Sequence, residues 1–139
     1  MSGAFVVDSS VAIAWTVASQ SSEQTHHLLD QVSTGASFVV PSLWMFEIAN
    51  SLLVLARRKR IRPEEFIVAR QALSSLHPVV DDEGPRFALG KITDLAEKYK
   101  LSVYDAVYLE LADRRGLPLA SRDYDLNHAA RRVGVNTLV

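Results

Sequence analysis

The chain contains no cysteine. That removes disulfides, thiolate zinc sites and cysteine nucleophiles, and it fits a reducing compartment. It also lacks any run of about 18 consecutive apolar residues, the length a membrane span needs. Its N-terminus does not have the basic-then-apolar layout of a secretory signal, so a soluble, cytoplasmic protein with no membrane attachment is expected. Neither sign of charge dominates, since 15 Lys+Arg stand against 16 Asp+Glu for a formal net charge of -1. A generally basic coat for nucleic acid is therefore excluded, though a local basic patch is not. Internal repeats, low-complexity tracts and long linkers are absent too. What is present is 139 residues, 48% hydrophobic and 22% charged. That is enough apolar side chain for a core and the length of one ordinary domain, so residues 1–139 are read as a single unit.

Short apolar runs alternate with helical patterns. Ala4 to Val7 reads as a buried strand ending at Asp8, and Asp8-Ser9-Ser10 offers capping side chains to a short helix from Val11 to Val17. A helix over Ser21 to Thr34 stops at Gly35, and Phe38 to Val40 is a second strand closed by Pro41. Ser42 can cap a longer helix from Leu43 to Lys59, with Phe46, Ala49, Leu53 and Ala56 forming its apolar stripe. Pro63-Glu64-Glu65 opens a helix to Leu76, and Val79-Val80 is a third strand. One helix is predicted over Pro85 to Tyr99 and another from Val103 to Arg115, stopped by Gly116. A short strand at Pro118 to Ala120, a helix from Asp123 to Val133 and a last strand from Val135 to Val139 complete the chain. This order predicts an α/β fold: a mainly parallel sheet of four to five strands with helices on both faces.

In such sheets, sites lie beyond the carboxyl ends of the strands. Asp8 sits where the first strand ends, Glu47 about one turn into the helix after the second, and Asp123 just after the strand holding Leu119 and Ala120. If the strands are parallel, these three gather at one edge, and Asp105 joins them if its helix starts there. Each also has a plain structural explanation. Asp8 and Asp123 can be helix caps, Asp105 lies three residues after Ser102 at capping-box spacing, and Glu47 can face solvent. Glu47 is the hardest to dismiss, because Trp44, Met45, Phe46, Ile48 and Ala49 surround it and a buried carboxylate needs partners. Grouped carboxylates repel one another, and a divalent cation removes that conflict. Oxygen-only donors favour Mg²⁺ or Mn²⁺, and such ions activate water and stabilise a leaving oxyanion in phosphodiester hydrolysis. The four His residues (His26, His27, His77, His128) have no zinc-ligand spacing.

Four blocks together resemble the PIN-domain nucleases, and most closely the VapC-type toxins of bacterial toxin–antitoxin systems. They are Val6-Val7-Asp8-Ser9-Ser10, Phe46-Glu47-Ile48-Ala49-Asn50, Ser102-Val103-Tyr104-Asp105-Ala106-Val107-Tyr108 and Leu119-Ala120-Ser121-Arg122-Asp123. The resemblance covers essentially the whole chain, with the blocks in family order and spacing. It implies a three-layer α/β/α domain and a Mg²⁺- or Mn²⁺-dependent endoribonuclease that acts on RNA as a toxin. It also implies a homodimer held inactive by a small antitoxin protein. The family's acidic quartet falls on Asp8, Glu47, Asp105 and Asp123. Asp8, Asp105 and Asp123 would be metal ligands, and Glu47 would hold the metal or orient the attacking water. The family's hydroxyls fall on Ser9 or Ser10 and on Ser121, where many relatives carry Thr. Asp125 is an additional acid without an assigned role.

Five basic residues, Arg57, Arg58, Lys59, Arg60 and Arg62, fall within six positions. They can be a solvated helix end complementing the helix dipole, or a patch that steers the RNA backbone. Arg122, beside Asp123, is a further phosphate-contact candidate. Trp15, Trp44 and Phe46 are expected in the core; Leu43 or Trp44, if exposed, would offer a surface to an antitoxin helix or a dimer partner. A haloacid-dehalogenase-like phosphatase would need Asp-x-Asp directly after the first strand, where Asp8 is followed by Ser9 and Ser10. A response-regulator receiver would need a late Lys, and the last one here is Lys100. An RNA-processing nuclease or an RNA-binding scaffold without a toxin role remains the alternative.

Overall fold

The computed structural model describes residues 3–139, so Met1 and Ser2 lie outside the described residues. Four strands, β1 (Phe5–Val7), β2 (Phe38–Pro41), β3 (Val79–Asp81) and β4 (Leu119–Ala120), form one sheet in the order β3-β2-β1-β4. All pairings are parallel: Val6 lies opposite Val39 on one side and Leu119 on the other, and Val39 lies opposite Val79. β1, β2 and β4 are buried throughout, as continuous apolar strands between two helical layers must be.

The helices are α1 (Ser9–Thr16), α2 (Glu23–Ser33), α3 (Trp44–Arg57), α4 (Pro63–Ser74), α5 (Thr93–Tyr99), α6 (Val103–Arg115) and α7 (Tyr124–Val133). They form two groups: α1 packs on α2, α3 and α4, while α6 packs on α5, α7, β1, β2 and β4. This is the arrangement right-handed crossovers dictate, because the chain moves one way across the sheet from β1 to β3 and the other way from β3 to β4. Among the described residues, no helix is long and apolar enough to cross a membrane.

Four expectations change. The predicted helix over Pro85 to Tyr99 is a 3₁₀ turn (Gly84–Phe87), a π turn (Ala88–Ile92) and then α5; Gly90, at φ -110° and ψ -110°, breaks it. The predicted strand from Val135 to Val139 is reduced to one bridge, Leu119 to Thr137: Val135 N–H closes the end of α7 on the carbonyl of Ala130, and the partner strand β4 is only two residues long. The face of α3 that meets the core is Trp44, Ile48 and Leu52, not the stripe through Phe46 and Leu53. Trp15 and Trp44 are core residues as expected, but Phe46 is 81% exposed.

Candidate active site

The chain leaves β1 toward β2, and leaves β4 in the opposite direction, through α7 to the bridge at Thr137. The crevice between two diverging connections is where ligands enter parallel α/β sheets. Asp8 and Ser121, the residues that follow β1 and β4, stand in it side by side. Asp8 N–H donates to the Ala120 carbonyl (2.9 Å), and Ser121 Oγ donates to Asp8 Oδ2 (2.7 Å).

Asp8 occupies the N-cap position of α1, yet its side chain makes no capping bond. Its carboxylate instead collects three hydroxyls: Ser9 on Oδ1 (3.3 Å), and Ser10 (3.1 Å) and Ser121 (2.7 Å) on Oδ2. Only 6% of Asp8 is exposed. Burial pushes its pKa up, and the three hydroxyls act against that rise. The same hydroxyls stitch the two loops together, because Ser10 Oγ accepts from Arg122 N–H and Ser121 Oγ accepts from Asp123 N–H, both at 3.0 Å.

The other acids arrive from three helix starts. Glu47 lies in the first turn of α3, next to the buried Trp44–Ile48 edge, so it is half-buried. Burial raises its pKa to about 7; a hydrogen bond from the Tyr108 hydroxyl opposes this, and the charges of Asp8 and Asp105 add to it. Asp105 lies in the first turn of α6, where Ser102 Oγ accepts its N–H (3.0 Å). Burial, then the charges of Asp123 and Asp8, raise it to about 6, against the Ser102 hydrogen bond. Asp123 caps α7, with Oδ1 accepting from Leu126 N–H (2.9 Å). Asp125 is exposed and acts on Asp105 through charge alone. The four acids thus share one edge, where the charge of Asp8 acts on Glu47 and Asp105 and that of Asp123 acts on Asp105. They do not form a closed cage: among the described residues, no three His, Asp or Glu side chains are disposed to hold a metal ion.

The basic run sits elsewhere. Arg57, Arg58, Lys59, Arg60 and Arg62 are all exposed. They start at the far end of α3, where Arg57 is about 15 Å from Glu47 at 1.5 Å rise per residue, and run through the turn to Arg62 at the start of α4. Arg122 is at the site but already donates to Gln20 Oε1 (3.1 Å). Two buried residues join the site beyond those the sequence predicts. Tyr108, fully buried, donates to Glu47. Asn127 Nδ2 donates to the Ser121 carbonyl (2.8 Å) and steadies the loop before Asp123. Tyr108 lies inside one of the four blocks, three residues after Asp105; nothing in the pattern singles out Asn127.

An α/β domain with a carboxylate-lined crevice at the divergence of two parallel strands defines the class. The chain belongs to the PIN domain family, whose model matches residues 5–132. It is 30% identical over 121 residues to Ribonuclease VapC3 of Pyrobaculum aerophilum, spanning 87% of this chain and 90% of that protein. The solved structure of PAE2754 from Pyrobaculum aerophilum has the same fold, with a TM-score of 0.68 at 21% identity, covering 96% of this chain and 83% of that one. So does VapBC2 from Rickettsia felis, solved bound to a DNA fragment from their promoter, with a TM-score of 0.65 at 12% identity and 96% of both chains covered.

Proposed function

We propose that this chain, acting as one PIN unit, is a Mg²⁺- or Mn²⁺-dependent endoribonuclease and the toxin of a toxin–antitoxin pair. The observation that carries the reading is the set of four carboxylates at one sheet edge, two of them raised to about 6 and about 7. Burial is the main cause of both rises and their neighbours' charges add to it; a divalent cation would offset both. Every donor is an oxygen, which suits a hard ion, and Mg²⁺ keeps several waters of its own, so an open site does not argue against it. Asp8, Asp105 and Asp123 would hold the ion, with Glu47 holding it or orienting water. When bound, the ion supplies Lewis-acid stabilisation of charge on the phosphate. Ser9, Ser10 and Ser121 hold Asp8 in place rather than attack phosphorus. The relative named a ribonuclease and the VapBC2 neighbour support RNA as substrate and a small antitoxin as partner. A cytoplasmic homodimer is part of the same reading.

The test is incubation of partner-free protein with a cellular RNA pool, with Mg²⁺, with Mn²⁺ and with EDTA. Discrete fragments that need the ion support the reading. Failure to bind either ion, with no cleavage, favours an RNA-binding scaffold. Thermal unfolding gives an independent check. A carboxylate whose pKa rises on folding binds a proton in the folded state that the unfolded chain has released. Through Asp105 and Glu47, the metal-free protein should therefore lose stability as pH rises from 5 to 8. Mg²⁺ should raise the Tm more at pH 8 than at pH 6, because at pH 6 it must displace protons. A metal-induced shift independent of pH counts against these two acids as ligands.

The basic run is proposed as a secondary RNA contact. Replacing Arg58 and Arg60 together by Ala should weaken RNA binding and lower the slope of log affinity against log salt by about 1.4, for two phosphates of a single strand. An unchanged slope assigns the run to a solvated helix end.

A further inference from the structure

Tyr108 is the one tyrosine among the described residues that is fully buried; Tyr104 and Tyr124 are exposed and Tyr99 is half-buried. A buried phenol needs a hydrogen-bond partner, whereas Phe would fill the same space without that need. Its hydroxyl donates to Glu47 Oε1, a residue 61 positions earlier and in the other helical layer. Tyr108 also lies one helical turn after Asp105 on α6, so the two side chains share a face. One helix therefore carries an acid of the site and the group that grips an acid brought by α3.

The grip is specific. Glu47 has no other side-chain hydrogen bond among the described residues, and its Oε2 is left free. Glu has three rotatable bonds, and its negative neighbours Asp8 and Asp105 push it outward. Tyr108 holds it in against that push. No charged group near the phenol favours its ionised form: burial and the charges of Asp8 and Glu47 keep it protonated and able to donate.

We propose that Tyr108 is a positioning residue, whose hydroxyl fixes the Glu47 carboxylate at the acidic crevice in the geometry that binding the ion and activating water require. The inference rests on the ribonuclease reading above. Tyr108 itself touches neither ion nor RNA.

The test is Tyr108→Phe, Glu47→Gln and the double variant, compared with wild type for RNA cleavage, Mn²⁺ affinity by calorimetry and thermal unfolding. Outer partners of metal ligands typically cost about 10–100-fold when lost. Tyr108→Phe should therefore lower kcat by about 10–100-fold with KM for RNA within about twofold, and weaken Mn²⁺ by about tenfold. A role carried through Glu47 is non-additive, so adding Tyr108→Phe to Glu47→Gln should change kcat and Mn²⁺ affinity little further. A crystal structure of Tyr108→Phe should show Glu47 turned away from Asp8. The proposal is overturned if Tyr108→Phe keeps wild-type kcat and Mn²⁺ affinity, or if its effects multiply those of Glu47→Gln, as a purely structural loss would. Wild type that neither binds Mn²⁺ nor cuts RNA overturns the ribonuclease reading and this inference with it. Wild type that does both, beside an unaffected Tyr108→Phe, overturns this inference alone.

Discussion

Asp105→Asn should abolish RNA cleavage and at the same time stabilise the metal-free protein. The change keeps size and shape, and the N–H of residue 105 still donates to Ser102 Oγ, so the start of α6 is undisturbed. What disappears is one charge that faces Asp123, Asp8 and Asp125. Without metal that charge is a liability, because burial and three like charges hold its carboxyl at about 6. Removing it should raise the Tm at pH 8 and leave it nearly unchanged at pH 5, where the wild-type carboxyl already carries its proton. With metal the same charge becomes an attraction. Its loss should lower cleavage by more than about 100-fold, beyond the range for an outer partner, and remove most of the Mg²⁺-induced stabilisation. Opposite signs on stability and activity are the mark of a site whose strain serves its chemistry. Cleavage assays and melting curves with and without Mg²⁺ decide it. An Asp105→Asn protein that still cuts at the wild-type rate removes Asp105 from the site.

Much of this is legible in the residues alone. Phe5 to Val7 and Phe38 to Val40 are short runs with no polar residue on either face, which a parallel sheet covered on both sides explains. Parallel strands then force Asp8 and the loop after Ala120 to one edge. Helix α3 is harder. It has two apolar faces, one in the core and one, through Met45, Ala49 and Leu53, lining a cleft against Phe66 and Leu73 of α4. Counting apolar residues cannot say which face meets the sheet, so the expected stripe is out of phase with the observed one. The break at Gly90 is hidden because Gly within a helical pattern is usually tolerated. Least legible are the polar partners inside the core. Tyr108 sits in the stretch of α6 from Ala106 to Ala112 that is buried on nearly every face, where any large residue would do, and its partner is 61 positions away. Periodicity reports which residues are buried, not which hydroxyl meets which carboxylate.

The same blindness hides a buried ion network whose disruption should have the largest effect on stability. Arg114 should be the most damaging residue to truncate outside the apolar core. Its guanidinium meets Glu110 at 2.7 and 3.2 Å and Asp81 at 2.7 and 3.0 Å, and lies over the Phe87 ring, 5.1 Å from its centre. Asp81 and Glu110 are each only 1% exposed. Asp81 also accepts from Arg115 (2.9 Å) and Gly84 N–H (3.1 Å), so it keeps partners if Arg114 is lost, whereas Glu110 has no other cation among the described residues. Breaking a buried pair by removing one partner costs about 3–5 kcal/mol, because a charge is left in the interior. For a chain of this size Arg114→Ala should lower the Tm by about 10 °C or more.

The pH dependence separates this from simple loss of packing. In wild type the Arg114 and Arg115 guanidiniums hold Asp81 at about 2 against its usual 3.8. A depressed carboxyl stabilises the fold above its unfolded pKa and stops doing so as pH falls through the folded value, so about 2 kcal/mol should be lost between pH 4 and pH 2. In Arg114→Ala the orphaned Glu110 must take up a proton to stay buried. That variant should therefore gain more stability than wild type as pH falls from 8 to 5. Adding Glu110→Gln removes the buried charge and should restore part of the lost Tm at pH 8 while returning the slope to that of wild type. Chemical denaturation at pH 5 and pH 8 measures both. If Arg114→Ala melts within about 2 °C of wild type, the network contributes no more than an exposed ion pair.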